Sequence, residues 1–149
     1  MSVLASDVVQ ECTIAELQAG RYPFALAGAR WAIVRYPMGH QKIWAETGIL
    51  WVPALAPPVA LHRVWHDRLT ELRDKGFGLA RWREEFEAFY VPAFREHAAG
   101  APYRAAIAEA AGEAAANGLS VGCWCRGEQP CHRRLVVADI RAALGGAQG

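Results

Sequence analysis

The residues from Leu119 to Leu144 constrain the fold more than any other part of the chain. The apolar run from Leu119 to Cys125 predicts a short buried strand, and a polar turn with glycine and proline follows it. The spacing of apolar residues after the turn predicts a helix that begins near Cys131 and ends at about Leu144. In such a strand–turn–helix unit, the first backbone N–H groups of the helix lack partners and attract an anion or stabilise a thiolate.

The remaining sequence predicts a single α/β domain over residues 1–149. Two further apolar runs predict strands at residues 31–36 and 49–52. Helical periodicity predicts helices at residues 59–75, 79–97 and 102–116. Because helical stretches separate the strands, we expect a small, mainly parallel sheet that is covered by helices.

We expect the two ends of the chain to add little to this core. Residues 1–28 are predicted to form an N-terminal extension with a short helix, for which Thr13 and Glu16 provide a capping box. Residues 145–149 are predicted to form a frayed tail. Pro92 lies inside one predicted helix, so we expect a kink or break there.

The charge and hydrophobicity of the chain limit its partners. The 149 residues carry a formal net charge of +1, so we expect no general attraction to nucleic acid or anionic lipid. No stretch approaches the ~20 apolar residues that span a bilayer. Residues 1–10 lack the features of a secretory signal. We therefore expect a cytoplasmic protein with a small-molecule partner and no membrane contact, and the sequence leaves its oligomeric state open.

Three of the four cysteines lie close together in the sequence, at Cys123, Cys125 and Cys131. Cysteines of a cytoplasmic protein are usually reduced, so this group favours catalysis or metal binding over a disulfide. Cys12 lies alone, and the simplest interpretation is a small buried apolar residue.

The candidate site lies where the predicted strands end. In open α/β sheets, ligand sites form beyond the carboxyl ends of the strands. Arg35 follows one predicted strand, and residues 123–131 follow another. We therefore expect Arg35 and the cysteine group to face the same crevice.

Several motifs of the chain resemble the domain-of-unknown-function family 488, including its YeaO-like branch. They extend from about residue 31 to residue 140 and comprise Ile33-Val34-Arg35, Leu55-Ala56-Pro57, His66-Asp67, Arg81-Trp82 with Phe86 and Tyr90, and Cys123 with Cys131-His132-Arg133. The run Gly122-Cys123-Trp124-Cys125 is also similar to a second family, numbered 4326. Val34 stands where family 488 usually has Asp, and Cys125 stands where many members have Glu. The resemblance implies the α/β fold and adds His66 to the candidate site residues.

The first hypothesis is an enzyme that acts on a small anionic molecule, with nucleotides among the candidates. The helix start, His132 and Arg133 are each expected to lower the pKa of Cys131 and make it the reactive thiolate. His132 or His66 would act as general acid or base, because histidine titrates near neutral pH.

Substrate binding in this hypothesis is assigned to Arg35, Arg133, Cys123 and Trp124. The guanidinium groups would hold a phosphate or carboxylate through paired hydrogen bonds. The hypothesis requires no cofactor.

Two alternative hypotheses use much the same residues. In the first, zinc or iron is bound by Cys123, Cys125, Cys131 and His132. In the second, the chain is a non-catalytic nucleotide or nucleic-acid binding module. Its phosphate contacts would come from Arg35, Arg126, Arg133 and Arg134, and its stacking platform would be Trp124 or Trp44. The near-neutral net charge favours a mononucleotide over a long polymer.

Overall fold

A four-stranded parallel sheet forms the centre of the protein in the computed structural model, which describes residues 8–20, 28–125 and 128–147. The strands are β1 (Val9–Thr13), β2 (Ala29–Ala32), β3 (Ile49–Trp51) and β4 (Leu119–Cys123), and their order across the sheet is β1-β4-β2-β3. β4 pairs with both β1 and β2, and every one of its residues is buried. The predicted α/β fold with a small parallel sheet is confirmed.

Helices fill the connections between the strands. They are α1 (Ile14–Ala19), α2 (Gln41–Thr47), α3 (Val59–Asp74), α4 (Leu79–Glu85), α5 (Val91–Ala98), α6 (Ala101–Asn117) and α7 (His132–Ala147), with a short 3₁₀ turn at Pro53–Leu55. In α6, the buried side chains Ala106, Ala110 and Ala114 recur every four residues. Their small size lets the helix lie close to the sheet. Among the described helices, none is long and apolar enough to cross a membrane.

The predicted N-terminal extension contains an edge strand that sequence analysis did not predict. β1 pairs in parallel with β4, from Val9 opposite Leu119 to Thr13 opposite Cys123. The polar residues inside β1 obscure its apolar pattern. The predicted capping box of α1 is present, because Thr13 Oγ1 accepts from the Glu16 N–H at 3.1 Å and the Glu16 carboxylate accepts from the Thr13 N–H at 2.9 Å.

Glycine in β4 allows α1 to lie directly on the sheet. A Cβ atom added at Gly122 would lie 2.9 Å from Leu17 Cγ, so a larger residue requires the Leu17 side chain to move. Leu17 is fully buried at this contact. This close approach fixes the depth of β4 in the core.

Some predicted boundaries differ from the structure by a few residues. β2 ends at Ala32 rather than at residue 36, and β4 ends at Cys123 rather than at Cys125. The chain beyond β2 leaves the ladder after the Ile33 N–H donates to Gly122 O at 2.9 Å. The last helix, α7, continues to Ala147, so it includes part of the predicted tail, while residues 148–149 lie outside the described residues.

The helix around Pro92 does not break there. α4 continues into α5 through a π-helical turn at Phe86–Tyr90, in which the Val91 N–H donates to Phe86 O. Pro92 directly follows this wide turn, as the second residue of α5. The wide turn brings Phe86 and Tyr90 into parallel stacking at 4.7 Å between ring centroids, with both rings buried. π-helical turns of this kind often occur at functional sites.

Gly28, the residue before β2, packs closely against the backbone at the end of α6, and a substitution can test this contact. A Cβ atom at Gly28 would lie 2.5 Å from the backbone oxygen of Asn117 and closer still to that of Gly118. We predict that Gly28→Ala lowers the free energy of unfolding by about 1–3 kcal/mol in urea denaturation, because backbone atoms must move. Gly112→Ala is the control, since Gly112 lies in α6 with open space around it. It should raise stability by about 0.5–1 kcal/mol, and equal effects of the two changes would contradict this account.

Candidate functional site

A cavity of about 230 Å³ opens at the carboxyl ends of β2 and β4. Its wall comes from the chain after β2, from α3, from the π-helical turn and from both sides of the β4–α7 connection. The residues that matter for its chemistry are Arg35, Tyr36, His62, Trp65, His66, Tyr90, Cys123, Trp124, Cys125, Cys131 and His132. The predicted crevice therefore exists, and Arg35 and the cysteine group both contribute to it.

Three cysteine sulfurs converge at the base of this cavity. The Sγ atoms of Cys123, Cys125 and Cys131 all lie within 4.8 Å of one another, and those of Cys123 and Cys131 are 3.0 Å apart. Two backbone groups donate to them: the Cys125 N–H to Cys123 Sγ and the Arg133 N–H to Cys131 Sγ, each at 3.4 Å. We call these three residues the cysteine cluster.

The three thiols do not share the same proton affinity. Hydrogen bonds donated by Cys123 and then by Cys131 lower the pKa of Cys125, and the positive charge of Arg133 lowers it further. The hydrogen bonds that the Cys131 thiol donates, to Cys123 and then to Cys125, raise the pKa of Cys131, and its deep burial adds to the effect. The expectation that Cys131 has the lowered pKa is therefore wrong, and the lowered pKa belongs to Cys125.

Arg133 is a structural residue of the site rather than part of the cavity wall. Its guanidinium donates to Cys12 O at 2.6 Å, to Cys125 O at 3.4 Å and to the Glu11 carboxylate at 3.2 Å. Its side chain is only 9 % exposed. These partners engage Nε and Nη1, and Arg133 is not among the residues of the cavity wall, so the ligand clamp that the sequence predicted is not formed there; Nη1 lies 3.7 Å from Cys123 Sγ.

His132 is buried, and its ring joins α7 to the end of β2. Nε2 lies 2.7 Å from Ile33 O, so we assign the proton to this nitrogen, and Nδ1 then faces Cys131 Sγ at 3.7 Å without a proton. Burial lowers the pKa of His132, which keeps the ring neutral. His132 can therefore accept a hydrogen bond from Cys131, but Nδ1 lies outside the group of atoms that could share a metal ion with the cysteines.

Arg35 lines the cavity while part of its guanidinium is fixed by the backbone. Nε donates to Pro57 O at 2.8 Å, and Nη2 donates to Pro53 O at 3.1 Å. Nη1 has no partner among the described residues. Arg35 can therefore make a single-point contact with an anion, in place of the bidentate clamp that the sequence predicted.

Two histidines from α3 reach the cavity, and sequence analysis singled out only one of them. His66 and His62 both line the wall, four residues apart on one face of the helix. The pKa of His62 is lowered by burial and then by the nearby His66 and Arg35, so its ring is neutral near pH 7. Its spacing of four residues from His66 is the signal in the sequence that could have identified it.

Aromatic rings form much of the remaining wall. Trp124 lies at the mouth, 38 % exposed, and its Nε1–H donates to Tyr36 O at 2.9 Å. Tyr36 in turn packs edge-on against His62 at 5.2 Å between ring centroids. Tyr90 reaches the cavity from the π-helical turn, and burial raises the pKa of its hydroxyl, so the hydroxyl stays protonated.

Two other residues of the nucleic-acid hypothesis, Trp44 and Arg134, do not join this wall. Trp44 is buried, with its Nε1–H donating to Gln18 at 2.8 Å, so its faces are closed to a base. Arg134 is exposed outside the cavity. Arg126 lies outside the described residues.

Fold and site together define a parallel α/β domain with a thiol-rich cavity at the carboxyl ends of its strands. The sequence model of DUF488-N3a, described as the active DUF488-N3 subclade, matches residues 15–144. The chain therefore belongs to the DUF488 family, as its motifs predicted. No curated protein and no solved structure matches it.

The structural role assigned to Arg133 can be tested against its neighbour. We predict that Arg133→Ala lowers the free energy of unfolding by about 2–3 kcal/mol, because buried carbonyl groups and Glu11 lose their partner. Arg134→Ala should change it by less than about 0.5 kcal/mol, since this side chain is exposed. Urea denaturation of the two variants measures both effects. Equal losses of unfolding free energy in the two variants would show that the buried hydrogen bonds of Arg133 do not stabilise the protein.

Proposed function

We propose that this protein is an enzyme that acts on a small molecule in the strand-end cavity, with the cysteine cluster as its reactive centre. The observation that carries the proposal is the convergence of three sulfurs and two histidines on one cavity. Nucleophilic and acid–base groups that meet in a partly closed pocket are the usual composition of an active site. The free thiols fit a reducing compartment such as the cytoplasm.

Cys125 is the sulfur that we assign to direct contact with the substrate. It is the one member of the cluster that is not fully buried, and its backbone is held by the hydrogen bond to Cys123 Sγ. Cys123 and Cys131 lie behind it and hold its position. This assignment moves the reactive role from Cys131, where the sequence placed it, to the neighbouring thiol that the cavity exposes.

The histidines and Tyr90 supply proton transfer and hydrogen bonding around that sulfur. His62 is the proposed general base because it is half-buried in the wall. His66 lies at the exposed rim, four residues further along α3, and is the proposed second acid–base group. The Tyr90 hydroxyl can donate to an oxygen of the substrate. His132 orients Cys131 through Nδ1 rather than contacting the substrate.

The substrate that fits this wall is small, mainly apolar or planar, and carries one anionic group. A volume of about 230 Å³ lies below the ~300–1,000 Å³ of pockets for drug-sized ligands. The aromatic rings suit a flat ring system, and the free side of the Arg35 guanidinium suits one phosphate or carboxylate oxygen. The base of a mononucleotide fits this description, and its ribose and phosphate would extend from the open mouth of the cavity.

Selective alkylation tests the reactive role of Cys125. We predict that iodoacetamide modifies Cys125 roughly tenfold faster than Cys12, Cys123 or Cys131 in the native, phosphine-reduced and chelator-treated protein. The cause is access, because the other three thiols are buried. Mass spectrometry of peptides taken at successive times measures each rate.

Two controls accompany this measurement. In denaturant all four cysteines should react at similar rates, and in Cys125→Ser the three remaining thiols should stay protected in the native state. Faster modification of Cys131 than of Cys125 in the native protein would overturn the assignment.

Protection from alkylation tests the proposed substrate class. We predict that nucleoside 5′-monophosphates at millimolar concentration slow the alkylation of Cys125 severalfold, whereas inorganic phosphate has little effect, because the apolar wall binds the ring. Trp124→Ala should weaken the protection. Equal protection by inorganic phosphate would instead indicate a site that recognises only the anion.

A further inference from the structure

We propose that Cys123, Cys125 and Cys131 bind one zinc ion and leave its fourth coordination position open to the cavity. Thiolates are soft ligands that favour zinc, and a site with three protein ligands and one open position is the usual form of a catalytic zinc centre. The inference deepens the proposed function, because zinc would hold Cys125 as a thiolate at the cavity wall. Its geometric basis is independent of that function.

The sulfurs lie close enough together to share one tetrahedral ion. Zn–S bonds of ~2.3 Å at tetrahedral angles place two sulfur ligands about 3.8 Å apart. In the cysteine cluster Cys123 Sγ and Cys131 Sγ are 3.0 Å apart, closer than this value, and all three sulfurs lie within 4.8 Å of one another. Small rotations of the side chains bring all three sulfurs to bonding distance.

The groups around the sulfurs are those expected of the outer shell of a metal site. The backbone N–H groups of Cys125 and Arg133 donate to Cys123 and Cys131 Sγ, each at 3.4 Å. Zinc with three thiolates carries a net charge of −1, and this charge would lie beside the Arg133 guanidinium, 3.7 Å from Cys123 Sγ, and the N-terminus of α7. Outer-shell hydrogen bonds of this kind orient the ligands and tune the metal.

The fourth position is open because no other described side chain completes the cluster. The group of atoms within 4.8 Å of one another consists of the three sulfurs and does not include a nitrogen of His132. The Nε2–H of His132 is engaged with Ile33 O, and Cys12 lies outside the cluster. Since all three cysteines line the cavity, the remaining ligand would be water or a substrate atom from that side.

Cobalt substitution tests the proposal on the full chain. The protein is purified without chelator in a phosphine reductant, its zinc and iron contents are determined, and a chelator-treated sample is titrated with Co²⁺. We expect about one zinc per chain, together with the sulfur-to-cobalt charge-transfer band and strong visible bands of a tetrahedral thiolate site. Absence of the charge-transfer band would overturn the proposal, and iron in place of zinc would overturn the choice of metal.

Two matched cysteine variants locate the site. Cys125→Ser should weaken zinc binding by ~100-fold or more in competition with a chromophoric chelator, since losing a ligand costs at least as much as losing an outer-shell partner. Cys12→Ser should bind zinc like the wild type, because Cys12 is a buried cysteine outside the cluster. Equal affinities in all three proteins would overturn the proposal. The cobalt spectrum of the wild type decides the question if a variant does not fold.

The failure of this inference is distinguishable from failure of the proposed function. Zinc binding with unselective alkylation of Cys125 in the chelator-treated protein would support the metal site and contradict the reactive role of Cys125. Selective alkylation of Cys125 without cobalt binding would support the reactive role of Cys125 and contradict the metal site. If both proposals hold, added zinc should slow the alkylation of Cys125 in the chelator-treated protein.

Discussion

The start of α7 is fixed to the ends of the strands by two buried side chains, and the rest of the site depends on this attachment. Carbonyl groups at the carboxyl ends of parallel strands point beyond the ladder and need partners. His132 satisfies Ile33 O after β2, and Arg133 satisfies Cys12 O in β1 and Cys125 O after β4. Adjacent residues of one helix start therefore contact the ends of three strands.

This attachment explains why the cysteines meet and why His132 and Arg133 are held by backbone carbonyl groups. With α7 held against the strand ends, Cys131 Sγ lies 3.0 Å from Cys123 Sγ, and Cys125 lines the same cavity. The same contacts engage Nε and Nη1 of Arg133 and Nε2 of His132. The Cys131-His132-Arg133 motif suggests catalysis in the sequence, but its residues have different positions in the structure. The cysteine sulfurs line the cavity, while the side chains of His132 and Arg133 hold α7 against the strand ends.

The sequence predicted those parts of the protein in which the local pattern of apolar residues determines the secondary structure. The β4–α7 unit, the long helix α3 and the parallel sheet follow from apolar periodicity, and the position of the site follows from the rule for strand ends. The sequence did not reveal β1, because Gln10 and Glu11 interrupt its apolar run while the parallel neighbour that stabilises it lies more than 100 residues away. It also predicted a lowered pKa for Cys131, whose pKa is raised, and did not reveal that Cys12 O, Cys125 O and Glu11 hold Arg133. The direction of a side chain at a helix start depends on which hydrogen-bond acceptors from other parts of the chain lie within reach. The spacing of residues in the sequence carries no information about these acceptors.

The electrostatics of the cavity favour a cluster of thiols over a single one. An isolated buried thiolate would be costly, because desolvation penalises its charge. Here hydrogen bonds from Cys123 and Cys131 stabilise a negative charge on Cys125 Sγ. The N-terminus of α7 and the Arg133 guanidinium provide positive charge close to the cluster. Glu11 in turn balances Arg133 on the side away from the cavity. Hydrogen bonds from Cys123 and then from Cys131 lower the pKa of Cys125 against the opposing effect of its burial, so negative charge is favoured at the least buried sulfur of the cluster.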